Sequence, residues 1–197
     1  MTRLARRFRV ALVLGDVGVA LLAACSNPLG LAPATSTNQV DTVTLYAVQG
    51  TGLNSPSAYA IIGRTAILTQ QTAGWDFVFS YDSLNRPAFY PTGALPKYAI
   101  VDSVLAPGFQ VSNASFDNTS EAPVDGYVTD KPALLSLQAV LLARSKSETC
   151  PDGTVYPLYA KIQPIAFDSV ARSVTFLVLA DQNCGYRSLV ANSLPSQ

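Results

Sequence analysis

The residues able to do chemistry are few, and their types exclude more than they suggest. The chain has no histidine, so neither a Ser-His-Asp nor a Cys-His apparatus can be assembled, and no imidazole is available as a metal ligand. No Gly-rich phosphate loop and no G-x-S-x-G nucleophile turn occurs. Carboxylates remain. Glu148 and Asp152 could act as the acid and base of a glycosidase, but beside Cys150 they read as part of a solvated loop. Asp117, Asn118, Glu121 and Asp125 could gather oxygen ligands around calcium. Their spacing departs from the EF-hand pattern, and residues 113–126 read as a solvated loop. The expectation is therefore no metal, no cofactor and no enzyme. Trp75, Phe77, Phe79 and Tyr81 recur at strand spacing, and Tyr90 follows beyond the next turn. Trp75, Tyr81 and Tyr90 are candidates for stacking against a sugar or peptide. An aromatic row at this spacing more often packs a core.

Ahead of these residues stands Leu22-Ala23-Ala24-Cys25. Arg3, Arg6, Arg7 and Arg9 precede it, followed by Val10 to Ala24, apolar apart from Asp16 and two glycines. A basic n-region, a short apolar h-region and small residues before a cut site form a secretory signal peptide. Cysteine directly after Leu-Ala-Ala resembles the lipobox of bacterial lipoprotein precursors. The resemblance covers residues 1–25 alone. It implies that the Cys25 thiol is diacylated, that residues 1–24 are removed, and that Cys25 opens the mature protein. Ser26 implies sorting to the outer membrane where there are two membranes. The competing reading is an uncleaved transmembrane helix, which needs about 17–25 apolar residues. Asp16 weighs against it, since it would sit near the bilayer centre.

With Cys25 assigned to the lipobox, Cys150 and Cys184 remain as an even pair, and in an exported chain such a pair is read as a disulfide. Twelve of the thirteen acidic residues but only nine of the thirteen basic ones follow the leader, a net charge of −3 for the mature part. No basic patch survives cleavage, so nucleic acid is not an expected partner. Charged residues are 13% of the chain, about half the usual share. The hydrophobic 49% suffices for one sizeable core.

Three regions follow: a leader (1–24), the lipidated cysteine with a flexible tether (25–38), and a folded domain (39–197). The tether Ser26 to Asn38 is uncharged and rich in Ser, Pro, Ala and Thr. Gln39–Val48 alternates as a strand, and Ala58–Ile62 with Thr65–Thr69 reads as a bulged strand or tight hairpin broken at Gly63-Arg64. Gly74–Tyr90 is a hairpin turning at Asp82–Arg86. Its spacing puts Trp75 on one face with Phe77, Phe79 and Tyr81, and Asp76 on the other with Val78 and Ser80. Lys97–Leu105 is an apolar run, and Phe109–Val111 a short segment. Residues 132–146 are ambiguous. Asp130 and Pro132 favour a helix start, whereas Leu135, Leu137, Ala139, Leu141 and Ala143 alternate as a strand, the reading their surroundings favour. Tyr156–Phe167 and Ser173–Asp181 form a hairpin whose second strand is apolar on both faces. Gly185–Val190 would be a last strand and Asn192–Gln197 a frayed tail. Seven or more short strands separated by turns specify an all-β domain, a β-sandwich, with an immunoglobulin-like outline as one form of it.

The expected function is a non-catalytic lipoprotein on the extracytoplasmic side of the cell envelope, in the periplasm or at the outer membrane. It would be held to the bilayer through acylated Cys25 and docked on other envelope proteins. Small lipoproteins of this size serve as extrinsic subunits of secretion machines, respiratory complexes and bacterial photosynthetic reaction centres. The alternative is a ligand-binding module for sugar or peptide. Cys25→Ala should block lipidation and leave an unprocessed or mislocalised precursor. Mass spectrometry finding an intact, unmodified leader on the mature protein would instead establish the retained helix.

Overall fold

Much of the period-two alternation in the sequence becomes strand, and the described residues form ten strands. They are β1 (Val40–Tyr46), β2 (Ala58–Ala60), β3 (Thr65–Ile67), β4 (Phe77–Tyr81), β5 (Pro87–Pro91), β6 (Gly108–Ser112), β7 (Ala133–Leu134), β8 (Val140–Thr149), β9 (Val155–Asp168) and β10 (Ser173–Ala180). This computed structural model describes residues 30–72, 74–96 and 106–196. The leader, Cys25 and the Lys97–Leu105 run lie outside the described residues. Ala32–Ser196 form one compact unit. The strands make two antiparallel sheets, ordered β1-β10-β9-β8-β6 and β3-β2-β4-β5-β7, packed as a β-sandwich. Five strands face five, with β8, β9 and β10 as consecutive neighbours. That order differs from the ABED and CFG sheets of immunoglobulin domains.

The inner faces interdigitate as alternation requires. Leu45, Leu141, Ala160, Ile162, Val174, Phe176 and Val178 from the first sheet meet Tyr59, Phe77, Phe79 and Phe89 from the second. Phe89 lies at the centre of this aromatic packing, 4.7 Å from Phe77, 5.8 Å from Phe109 and 5.3 Å from Phe176, centroid to centroid. Such pairs add to simple area burial. Gly63, with φ of 70°, turns β2 into β3 as a tight hairpin.

The ambiguous segment is strand, but interrupted. β7 belongs to the second sheet and β8 to the first, so the chain crosses between sheets at residues 135–139, with Gln138 left-handed at φ 66°. Leu135 is buried, yet Leu137 is exposed. The apparent alternation through Leu137 spans a crossover and not a continuous strand. Three further expectations are corrected. Residues 113–126 are a loop but not merely a solvated one, for Phe116 and Ala122 pack with Val140, Leu142, Leu179 and Leu189 on the outer face of the first sheet. Gly185–Val190 forms no strand. It runs along that loop through one bridge, Glu121 to Ser188, and covers the same face. The stretch after Asn192 is also held at its start, since the Asn192 N–H donates to the Asn38 carbonyl (2.8 Å) and the Asn38 N–H to that of Ser193 (2.9 Å).

Lys161 secures the outer cover from within. Its buried ammonium donates to the carbonyls of Phe116 (2.6 Å) and Thr119 (2.9 Å) and stands 4.5 Å from the Phe116 ring centroid. Burial holds its pKa below the ordinary lysine value.

Asp76 joins the sheets. The register of β8 against β9 shifts between Arg144 and Ser147, which leaves the Lys146 N–H without a ladder partner. The fully buried Asp76 carboxylate accepts it (2.8 Å) and takes the Ile61 N–H as well (2.7 Å). Burial raises the Asp76 pKa to about 6, against the pull of these two N–H donors. The folded state thus holds an extra proton between the ordinary aspartate value and 6. The contribution of this group to stability is full below about pH 4 and is lost as pH rises through 6. Asp76→Asn presents an NH2 to one of the two N–H donors, and should destabilise the domain by about 1–3 kcal/mol at neutral pH. Denaturant unfolding at pH 4.5 and 7.5 should also show that the variant lacks this part of the pH dependence.

The other clamp holds the segment that leads into β1. Of residues 25–38, expected as tether, the last seven are hydrogen-bonded to the domain at several points. The Asn183 Oδ1 accepts the N–H groups of Thr35 (2.8 Å) and Ser36 (2.9 Å). Its Nδ2 donates to the Ser36 carbonyl (2.8 Å) and to Asp181 Oδ1 (2.7 Å), and the Tyr186 hydroxyl donates to the Ala32 carbonyl (3.0 Å). The turn carrying Asn183 is itself bound by the Cys150–Cys184 disulfide, whose Cα atoms are 5.9 Å apart. Asn183→Ala should release residues 33–37, between the remaining anchors at Ala32 and Asn38. Limited proteolysis should then cleave there in the variant and spare the wild type.

Candidate functional site

The outer face of the second sheet bears a cleft that gathers the aromatic candidates. Val78 and Ser80 point outward from β4, and β5 sets Tyr90 directly opposite Val78. Trp75 lies just before β4, where the chain is not yet in strand register, and packs with Val78 and Ala58 against Tyr90, Ile67 and Leu95. Its expected face was that of Phe77 and Phe79. The structure corrects this, because strand alternation begins only at Phe77. Trp75, Tyr81 and Tyr90 all line a single cleft of about 380 Å³, together with Val48, Gln49 and Leu53.

Two loops raise its walls. The loop after β1 is sewn down by the Ala47 N–H to the Arg172 carbonyl (2.8 Å), the Val48 N–H to the Phe79 carbonyl (3.0 Å) and the Thr51 hydroxyl to the Ala47 carbonyl (2.6 Å). The Gln70 amide donates to the Leu53 carbonyl and so ties this loop to the one after β3. Arg172, in the β9–β10 turn with φ of 50°, reaches over to close the end. Its Nε donates to the Gln49 carbonyl (3.1 Å), and its guanidinium lies 4.6 Å from the Tyr81 ring centroid. Gly50 has φ of 81°, and a Cβ there would stand 3.0 Å from the Arg172 Nε, so this approach requires glycine.

Among the described residues, no Asp, Glu, Lys or Arg lines the cleft. Trp75 forms its floor at 2% exposure, while Leu53 and Val48 at the rim are 78% and 45% exposed. Burial, reinforced by the nearby Asp82 charge, raises the Tyr90 pKa and keeps its phenol neutral. Among the described residues of this lining, no lysine or carboxylate stands beside Ser80 to activate it as a nucleophile, and the chain has no histidine. The arrangement is suited to binding.

The other candidates lie elsewhere. Glu148 is on β8, in correction of its loop reading, and pairs with Lys146 at 3.7 Å. Asp152 caps the β8–β9 turn by accepting the Thr154 N–H (2.9 Å) and hydroxyl (2.5 Å), and these bonds hold its pKa below the ordinary value. Glu121 is paired with Arg187. Among the described residues, no three His, Cys, Asp or Glu side chains gather as a metal site. Sequence reasoning missed Arg172, Gln49 and Leu53, whose roles arise only when separate turns meet at one end of the sandwich. Comparison with known protein families finds no matching family model, and no curated protein or solved structure matches the chain.

Proposed function

We propose that this protein is a non-catalytic, lipid-anchored subunit of the cell envelope that docks on other envelope membrane proteins. This is the part extrinsic subunits play in secretion, respiratory and photosynthetic reaction-centre complexes. One observation carries the reading: the sandwich holds a preformed, uncharged aromatic cleft whose rim is itself apolar and exposed. An apolar rim around an apolar pocket is costly to leave in water and marks a surface that another macromolecule covers.

The chain path supports the same reading. Residues 32–38 are clasped at the end of β1 where Val40 pairs with Leu179. The cleft loop leaves its other end, where Tyr46 pairs with Ser173. Seven residues of antiparallel strand place those ends about 20 Å apart. The cleft loop thus leaves the end of β1 opposite the one where residues 32–38 are held. A second reading, a sugar- or peptide-binding module, draws on the convergence of Trp75, Tyr81 and Tyr90.

The test is a photo-crosslinking residue placed at Leu53 in intact membranes, with Val155, at the far end of the sandwich, as control. Docking predicts discrete adducts with another envelope protein from position 53 and none from 155. No adduct, together with saturable oligosaccharide binding by the purified protein, would replace docking with the second reading.

A further inference from the structure

We infer that the cleft receives one uncharged apolar side chain, aromatic or branched aliphatic, presented on a protruding loop of a partner protein. This rests on the docking reading above and names what the partner must bring.

The volume comes first. About 380 Å³ lies near the lower end of the 300–1,000 Å³ range of small-molecule sites, so the buried part of the occupant is small. Charge comes second. Among the described residues, the lining offers no ion to pair with, and an unpaired charge taken into it would lose its hydration without compensation. Hydrogen bonding comes third. The Gln70 amide is engaged on the Leu53 carbonyl and the Arg172 Nε on that of Gln49, so two of the strongest donors near the cleft serve to build its walls. A sugar carries hydroxyls around its whole ring and needs many such groups.

Ring access is the fourth consideration. Stacking a sugar requires an open aromatic face, but Trp75 is almost entirely covered, and the Arg172 guanidinium lies over the Tyr81 ring. The rim completes the argument. A free small molecule filling the cleft would leave Leu53 and Val48 in water, whereas a protein loop carrying the inserted side chain would cover both. A side chain in a preformed pocket inside a water-excluding rim is the usual anatomy of an interface hot spot.

The sole tryptophan of the chain is the floor of the cleft, so its fluorescence reports occupancy directly. The lipidated mature protein in nanodiscs is titrated with N-acetyl-phenylalaninamide, N-acetyl-leucinamide, N-acetyl-lysinamide, maltotriose and decanoate. The expected result is a saturable change in Trp75 emission with the phenylalanine or leucine amide, and binding about tenfold or more weaker for the lysine amide. Ser80→Phe, which fills the cleft from its floor, should abolish the response while the thermal unfolding transition persists. If Ser80→Phe fails to fold, Leu53→Asp serves instead and should weaken the response from the rim. Saturation by maltotriose alone, or by decanoate alone, would overturn the inference in favour of a sugar or a lipid chain. Self-association dissolved by the phenylalanine amide would overturn the foreign partner in favour of a second copy. Amide binding without crosslinks from Leu53 would sink the docking reading while keeping the chemistry of the cleft. Crosslinks without amide binding would do the reverse.

Discussion

The sandwich depends on one buried carboxylate. Asp76 accepts N–H groups from Ile61 beside β2 and from Lys146 in the β8 bulge, so a single side chain binds both sheets. Its own backbone is equally committed, with its N–H on the Tyr59 carbonyl (2.9 Å) and its carbonyl taking the Thr92 N–H (3.2 Å). Burying a carboxylate is expensive, as its raised pKa records. Without it, the buried Ile61 N–H would go unpaired, as would the part-buried Lys146 N–H where β8 loses its ladder. The bulge and the acid are therefore a single device. Because residue 76 is held at both main-chain and side-chain atoms, its neighbour Trp75 is delivered to the outer face with little freedom, and the floor of the cleft follows from a core interaction.

The two ends of the sandwich have divided tasks. At one, the disulfide, Asp181 and Asn183 hold the incoming chain, and the Asp181 carboxyl, its pKa raised by burial, directs the Asn183 amide. At the other, Arg172 joins the β9–β10 turn to Gln49 and Tyr81. The long central strands β9 and β10 connect these ends rigidly, and the loops that build the cleft are bonded to strand termini, with little freedom to collapse into it. A pocket held open in this way keeps its binding surface preorganised and avoids the ordering cost that a mobile loop would incur.

Much of this was legible in the sequence. Period-two alternation identified β1, β4, β5, β9 and β10, and counting cysteines identified the Cys150–Cys184 pair. What misled was alternation read past the end of a strand. Trp75 and Asp76 keep the rhythm of Phe77–Tyr81 on paper, but precede its first ladder pair, so the tryptophan changes face and the acid turns inward. Leu137 keeps the rhythm across a change of sheet and ends exposed. A single aspartate among apolar neighbours looks the same whether water or two backbone amides receive it. Nor does any local pattern announce that loop 113–126 will cover an outer face, since the partners of Phe116 lie far along the chain on β8, β10 and the C-terminal segment. Contacts made by meeting turns have no period, and period is what a single sequence displays.

The scarcity of charge then has a structural explanation. The buried charged groups Asp76, Arg144, Lys161 and Asp181 each have named hydrogen-bond partners within the fold. Arg172 holds a loop and an aromatic ring, and Arg187 pairs with Glu121. These side chains serve contacts within the fold. The outer face of the first sheet is already covered by its own chain, through Phe116, Ala122 and Leu189. Among the described residues, the second sheet has no such cover over Val78, Ser80 and Tyr90, only the walled cleft with its apolar rim. Among the described residues, one face of the sandwich is covered by the chain's own loops, and the other carries the cleft.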